Sequence, residues 1–220
     1  MNIISKYQFP GIEPIMNGSR SQVGQDVFVL SMLKGKTQGR YVEIGGHEPE
    51  VINNTYALEK LYNWTGVSLD ISQYCVNAFN QRRTNKALLQ DAVTADYAKI
   101  FNDLGWQDKV IDYASVDIEP CIATYQSLVK LLDSGYKCAV ITFEHANYLD
   151  KDGTREKSRE FLTNLGYDLL VPNVRILPNC YEFEDWWVHP DLVDMDHVEQ
   201  FRSTSEYIFW KTYLYGVDTQ

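Results

Sequence analysis

The chain has 220 residues, 45% of them hydrophobic, which suffices for one α/β unit with a substantial core. Its 30 acidic residues against 20 Lys and Arg give a net charge of −10 with no basic run, which excludes nucleic acid as the default partner, because phosphate binding needs clustered cations. No apolar stretch is long enough to span a bilayer, residues 1–7 lack a signal-peptide profile, and Cys75, Cys121, Cys138 and Cys180 form no C-x-x-C pair, so the expectation is a cytoplasmic protein with no membrane partner and reduced thiols.

In chain order, residues 1–20 hold Pro10, Gly11, Pro14, Asn17 and Gly18, a composition that predicts a loop or extended N-terminal arm. Apolar residues at Val23, Val27, Leu30 and Leu33, with Gly35 beyond them, predict an amphipathic helix over 22–33. A first strand starts at Arg40 and runs to the glycine pair Gly45-Gly46. Then come a helix over 54–62, a strand over 66–70, a helix over 73–83 and a strand over 87–91. The alternation continues with a helix over 96–104, a strand over 112–118, a helix over 124–132 and a strand over 139–143. A charged helix over 154–165 stops at Gly166, two strands follow over 167–174 and 181–188, and a polar helix over 191–202 comes last. This rhythm implies a parallel sheet covered on both faces, and with no repeat or linker in sight residues 21–220 read as a single domain.

The chemistry gathers at strand ends. An apolar run that closes on Glu43, Gly45 and Gly46 lets the backbone turn sharply and approach a ligand closely, because glycine lacks a Cβ. Asp70, at the end of the second strand, is placed to accept hydrogen bonds from both hydroxyls of a ribose. The dinucleotide fingerprint G-x-G-x-x-G is absent, and Glu48 and Glu50 stand where a pyrophosphate would sit. A nucleoside without phosphates fits better, and S-adenosylmethionine is the obvious one.

Several phrases together resemble the FkbM-type branch of the class I S-adenosylmethionine-dependent methyltransferases. Residues 21–28 resemble its opening S-Q-x-G-Q-D helix, and residues 39–45 its cofactor strand. Residues 53–70 resemble the N-N-T-x-x-L-E-x-x-x-x-W-x-G segment that leads to the ribose acid, residues 112–119 the D-x-x-x-x-D-x-E strand, and residues 141–145 the following E-H strand. The resemblance covers roughly residues 19 to 190. It implies a Rossmann-like sheet, mostly parallel with a final antiparallel strand, and methyl transfer to a hydroxyl of a small acceptor, a sugar or glycan unit. The chain departs from that pattern at His47-Glu48-Pro49, where another small residue is common, and at Pro120, which replaces a glycine.

The expected cofactor set is Glu43, Gly45, Gly46, Asn54, Thr55, Asp70, Ile71, Asp91 and Ala92. Glu43 would receive the cofactor's ammonium directly or through water. Asn54 and Thr55 serve either its methionine end or as helix caps. By resemblance, Asp91 accepts the adenine amine and the Ala92 N–H donates to the ring. The expected catalytic set is Asp117, Glu119, Glu144 and His145. Asp117 and Glu119 lie two apart on a strand and so share a face. One of them takes the acceptor's proton, or the pair holds a divalent metal, which is less favoured because nothing completes an oxygen shell. His145 is the best general-base candidate among the four histidines. Of the aromatic run Tyr181, Phe183, Trp186 and Trp187, most is core, with some rings on the acceptor side and Glu184-Asp185 available to sugar hydroxyls. Two alternatives stay open: a nicotinamide-dependent oxidoreductase, and a non-catalytic glycan-binding or regulatory module on the same fold.

Overall fold

The computed structural model describes residues 12–216. Its elements are α1 (Glu13–Gly18), α2 (Gln25–Met32), β1 (Arg40–Ile44), α3 (Tyr56–Tyr62), β2 (Thr65–Asp70), α4 (Gln73–Arg82), β3 (Lys86–Leu89), α5 (Tyr97–Asp103), β4 (Val110–Val116), α6 (Cys121–Leu132), β5 (Lys137–Glu144), α7 (Thr154–Asn164), β6 (Asp168–Arg175), β7 (Glu182–Val188), α8 (Met195–Val198), β8 (Ile208–Phe209) and α9 (Trp210–Tyr215). Among the described residues the strands form one sheet of order β3-β2-β1-β4-β5-β7-β6-β8, in which β7 alone runs antiparallel to its neighbours. The strand order reverses at β1, which has β2 on one side and β4 on the other. That reversal opens a crevice at the carboxyl ends of the strands.

Side chains alternate across the sheet. Tyr41 of β1 and Tyr113 of β4 pack on the face covered by α2 and α3, whereas Val42, Ile44, Ala114 and Val116 pack with residues of α5, α6 and α7. The first face also carries a polar belt. Glu43 stands opposite Ser68 on one side and Ser115 on the other, Ser115 stands opposite Thr142, and Glu144 stands opposite Glu184.

Four expectations change. The expected arm of residues 1–20 contains helix α1, whose Ile15 is fully buried, and residues 1–11 of it lie outside the described residues. The helix expected from residue 22 starts only at Gln25, because Gly24 adopts φ +80°, and all eight of its residues are buried rather than one face. A Cβ on Gly24 would stand 2.2 Å from Leu214 of α9, so α9 closes the side expected to face solvent. The antiparallel strand is not final: β8 follows it and adds a short parallel edge to β6. The polar helix expected over 191–202 shrinks to α8 and one 3-10 turn (Glu199–Phe201), since Asp194 caps the His197 N–H and sets the start there.

Candidate active site

A cavity of about 740 Å³ occupies the crevice at the carboxyl ends of β1 to β4. It is lined by Gly45, Asp70, Ile71, Asp91, Ala92, Asp117 and Glu119, so strand-end residues far apart in the chain meet as expected. A second hollow of about 500 Å³, around Thr65, Lys86 and Trp106, lies at the amino ends of β2 and β3, away from these groups.

Gly45 is the tightest point of the crevice. It adopts φ +90°, and a Cβ there would stand 1.8 Å from the Asp117 carbonyl oxygen, so no other residue fits without moving β4. Its N–H donates to the Leu69 carbonyl at 2.9 Å, and the Asp117 N–H donates to the Ile44 carbonyl at 3.0 Å. Gly46 is less constrained: a Cβ would meet the Ser68 Cβ at 3.0 Å. Asp70 is held by the loops around it, Oδ2 accepting from the His47 N–H at 2.9 Å and Oδ1 from the Ser72 N–H at 2.7 Å. Asp91 accepts from the Val93 N–H at 2.9 Å, a local turn that presents Ala92 to the cavity.

Other members of the expected cofactor set stand elsewhere. Glu43 does not line the cavity; it is 2% exposed beneath the Gly45-Gly46 turn and accepts from the Ser68 hydroxyl at 2.6 Å. Burial lifts its carboxyl above the ordinary range, against the pull of the Arg83 guanidinium and the Ser68, Asn53 and Thr55 side chains. Thr55 is fully buried and faces inward, bonded to Asn53 Oδ1 and to Arg83. Asn54 donates through Nδ2 to the Ser115 hydroxyl at 2.9 Å. Its Oδ1 is buried without a hydrogen-bond partner among the described residues.

Of the acids near the ends of β4, β5 and β7, Asp117 lines the cavity, whereas Glu144 and Glu184 are not among its lining residues. Asp117 and Glu144 share a hydrogen bond, and burial raises both carboxyls. Glu144 is pushed up to about 10 by burial and by the charge of Asp117 and its hydrogen bond, with Glu184 and Glu119 adding to the effect. Two acids this close hold one proton between them near neutrality. Behind them, Glu184 accepts from Gln25 Nε2 at 2.8 Å and from the Trp186 indole N–H, and burial lifts it to about 8. Glu184 is 3% exposed and so is not available to sugar hydroxyls as expected. Asp185 is also fully buried, bonded by Arg159 at 2.7 and 2.9 Å. Burial alone would raise its carboxyl, but Arg159 and His145 hold it well below the usual range.

His145 follows Glu144 and therefore points to the opposite face. It is fully buried, its Nδ1 accepts from the Asn147 N–H at 3.2 Å, and its Nε2 lies 3.5 Å from Asp185 Oδ1. The expected general base is consequently shut away from the cavity. Phe183, Trp186 and Trp187 are core, each at most 2% exposed, whereas Tyr181 is 65% exposed and stacks on Tyr148 with centroids 5.4 Å apart. Among the described residues, no group of three or more His, Cys, Asp or Glu is arranged to hold a metal ion.

Two further residues, Gln25 and Arg83, owe their place to contacts between distant parts of the chain. Gln25 and Glu184 are 159 positions apart, and Arg83 bonds to groups up to 42 positions away. Only the S-Q-x-G-Q-D phrase pointed at Gln25. Its neighbour Asp26 is structural, accepting from the Ser19 and Ser21 hydroxyls at 2.7 and 2.6 Å.

No protein-family model and no curated protein matches this chain by sequence. Solved structures do resemble it. A Clostridium thermocellum protein with a proposed rRNA-methylase assignment superposes with a TM-score of 0.51 at 14% identity, covering 77% of this chain and 96% of that one. The N-methyltransferase NodS from Bradyrhizobium japonicum WM9 superposes with a TM-score of 0.51 at 12% identity, covering 76% of this chain and 94% of that one. At such identities the likeness is one of fold: the sheet is the Rossmann-like sheet of these methyltransferases.

Proposed function

We propose that this chain is a cytoplasmic S-adenosylmethionine-dependent O-methyltransferase, a single domain over residues 21–220, acting on a hydroxyl of a small acceptor such as a sugar or glycan unit. The observation that carries the reading is the Gly45 turn, whose missing Cβ lets the end of β1 pack against the Asp117 carbonyl, so that Gly45 and Asp117 line one cavity with Asp70 and Asp91. Two features fit the cofactor. The cavity presents an acid at the end of each of β2 and β3 and no phosphate cradle, which suits a nucleoside. Asn54, on the loop that follows Gly45 though not itself lining the cavity, has no hydrogen-bond donor for its Oδ1 among the described residues, which suits an ammonium group.

When bound, the cofactor supplies an electrophilic methyl group. The chain's own residues do the rest. A carboxylate has about four lone-pair sites, so Asp70, with two taken by backbone N–H groups, keeps acceptors for the ribose hydroxyls. Asp91 and Ala92, which also line the cavity, would hold the adenine. Asp117, which lines the cavity, would take the proton from the acceptor hydroxyl as that oxygen bonds to the methyl carbon and the donor's sulfur keeps the electron pair of the broken bond, and the proton would neutralise the single negative charge that Asp117 and Glu144 share. Holding the acceptor oxygen in line is the larger contribution. The exposed Tyr148 and Tyr181 rings, interplanar angle 17°, offer a flat platform beside Glu144 for a ring-shaped acceptor.

Titration calorimetry with S-adenosylhomocysteine, and with a nicotinamide dinucleotide for comparison, tests the cofactor. Binding of the first alone is expected, and absence of heat from folded protein would overturn the reading. Transfer of labelled methyl groups to a panel of hydroxylated acceptors then separates an enzyme from a non-catalytic module.

A further inference from the structure

Residues 45–55, between β1 and α3, contain no helix or strand. The segment nevertheless carries Gly45 and Asn54, and it passes through positive φ at His47 (33°) and Ile52 (53°), which non-glycine residues rarely adopt. A conformation of this kind persists only when the surroundings over-determine it. Beneath the segment lies a single guanidinium that meets that requirement.

Arg83 follows α4, and its side chain is fully buried. It donates from Nη1 to the Pro49 carbonyl at 2.9 Å and to Asn53 Oδ1 at 3.0 Å. From Nη2 it donates to the Tyr41 hydroxyl and to Thr55 Oγ1, both at 3.1 Å, and from Nε to Glu59 Oε2 at 2.8 Å. Five donor–acceptor contacts thus reach β1, α3 and three points of the segment, Pro49, Asn53 and Thr55. Asn53 extends the hold, its Nδ2 donating to the Gly46 and Glu48 carbonyls at 3.3 and 3.1 Å. The Phe79 ring covers the guanidinium at 4.6 Å. A planar fork is required here, since an ammonium has three donors from one point and cannot reach acceptors on three elements at once.

We infer that Arg83 is a positioning residue for the methyl-donor site, which through Pro49 and Asn53 sets the shape of the segment that presents Gly45 and Asn54. This rests on the function proposed above. The competing role is that Arg83 merely neutralises Glu59, which is itself buried. The two roles part in a comparison of variants, because an E59Q/R83M pair cancels the unpaired charge but leaves Pro49 and Asn53 unheld.

The experiment measures S-adenosylhomocysteine affinity by calorimetry and melting temperature for wild type, R83K, R83M, the E59Q/R83M pair and N53A, with R82A as a neighbour control. R83K and N53A should weaken binding roughly ten- to hundredfold while folded. The E59Q/R83M pair should melt above R83M alone and yet bind as weakly as R83K. Wild-type affinity in the folded double variant and in N53A would overturn the positioning role while leaving the cofactor reading intact. If R83K fails to fold, N53A, which keeps the Arg83 to Glu59 ion pair, decides alone. No binding by folded wild type would remove the cofactor reading and the inference together.

Discussion

Replacing Gly45 by alanine tests the geometry of the crevice at its narrowest point. The new methyl would stand 1.8 Å from the Asp117 carbonyl oxygen, so the start of the β4 to α6 connection must withdraw by roughly 1 Å or more in an interior that yields little. At φ +90° an L-residue also carries strain, about 1–2 kcal/mol by analogy with left-handed helical geometry. The bonds from Gly45 N–H to Leu69 and from Asp117 N–H to Ile44 flank the clash, and each is worth about 0.5–1.5 kcal/mol if broken. The expected loss of stability is about 2–5 kcal/mol, with S-adenosylhomocysteine binding at least about tenfold weaker because Asp117 and Gly45 both wall the cavity. Gly46→Ala is the internal comparison. Its φ is not positive and its nearest contact is 3.0 Å from a side-chain carbon, so it should cost less than about 1 kcal/mol. Urea denaturation gives the first quantity and calorimetry the second. A Gly45→Ala protein as stable as wild type, with unchanged affinity, would refute the close-approach argument.

Asp70→Ala releases two backbone donors and the ribose contact, and should weaken S-adenosylhomocysteine binding by about 1.5–3 kcal/mol, with unchanged affinity placing the ribose elsewhere. Asp117→Asn should lower turnover by ~10²–10⁴ while leaving cofactor affinity nearly intact. His145→Ala should instead lower the melting temperature and leave the pH profile of turnover in place; a folded variant with wild-type stability and lost turnover would return His145 to the chemistry. Glu184 and Glu144 have carboxyls lifted to about 8 and about 10, above the 4.5 of a free carboxyl, so between pH 4.5 and 8 the folded chain binds protons that the unfolded chain has released. Stability should therefore fall as pH rises through that window, by up to about 1.4 kcal/mol per pH unit for each such proton. Denaturant midpoints that rise from pH 5 to 8 would contradict it. Gel-shift titration with RNA at low salt should show no complex: of the cations Arg82, Arg83 and Lys86, Arg83 is buried, and the net charge is −10.

The local pattern of residues was enough to place Gly45, Asp70, Asp91 and Asp117 around one cavity. Each sits at or just beyond the end of an apolar run, and parallel connection brings such ends to one edge whatever the details of packing. The alternation of strands and helices likewise followed from periodicity alone. Tertiary structure decided which strand-end groups reach that edge. Glu43 and Gly45 are only two residues apart at the end of β1, yet the turn folds over Glu43 and buries it, and His145, one residue beyond Glu144, is turned to the opposite face and fully buried against Asp185. It also decided that β7 inserts between β5 and β6, placing Glu184 beside Glu144. Contacts such as Gln25 to Glu184 and Arg83 to Tyr41, Asn53 and Thr55 join residues 28 to 159 positions apart. No spacing rule in a single chain encodes them, because they exist only once the sheet and its covering helices have brought distant segments within hydrogen-bond reach.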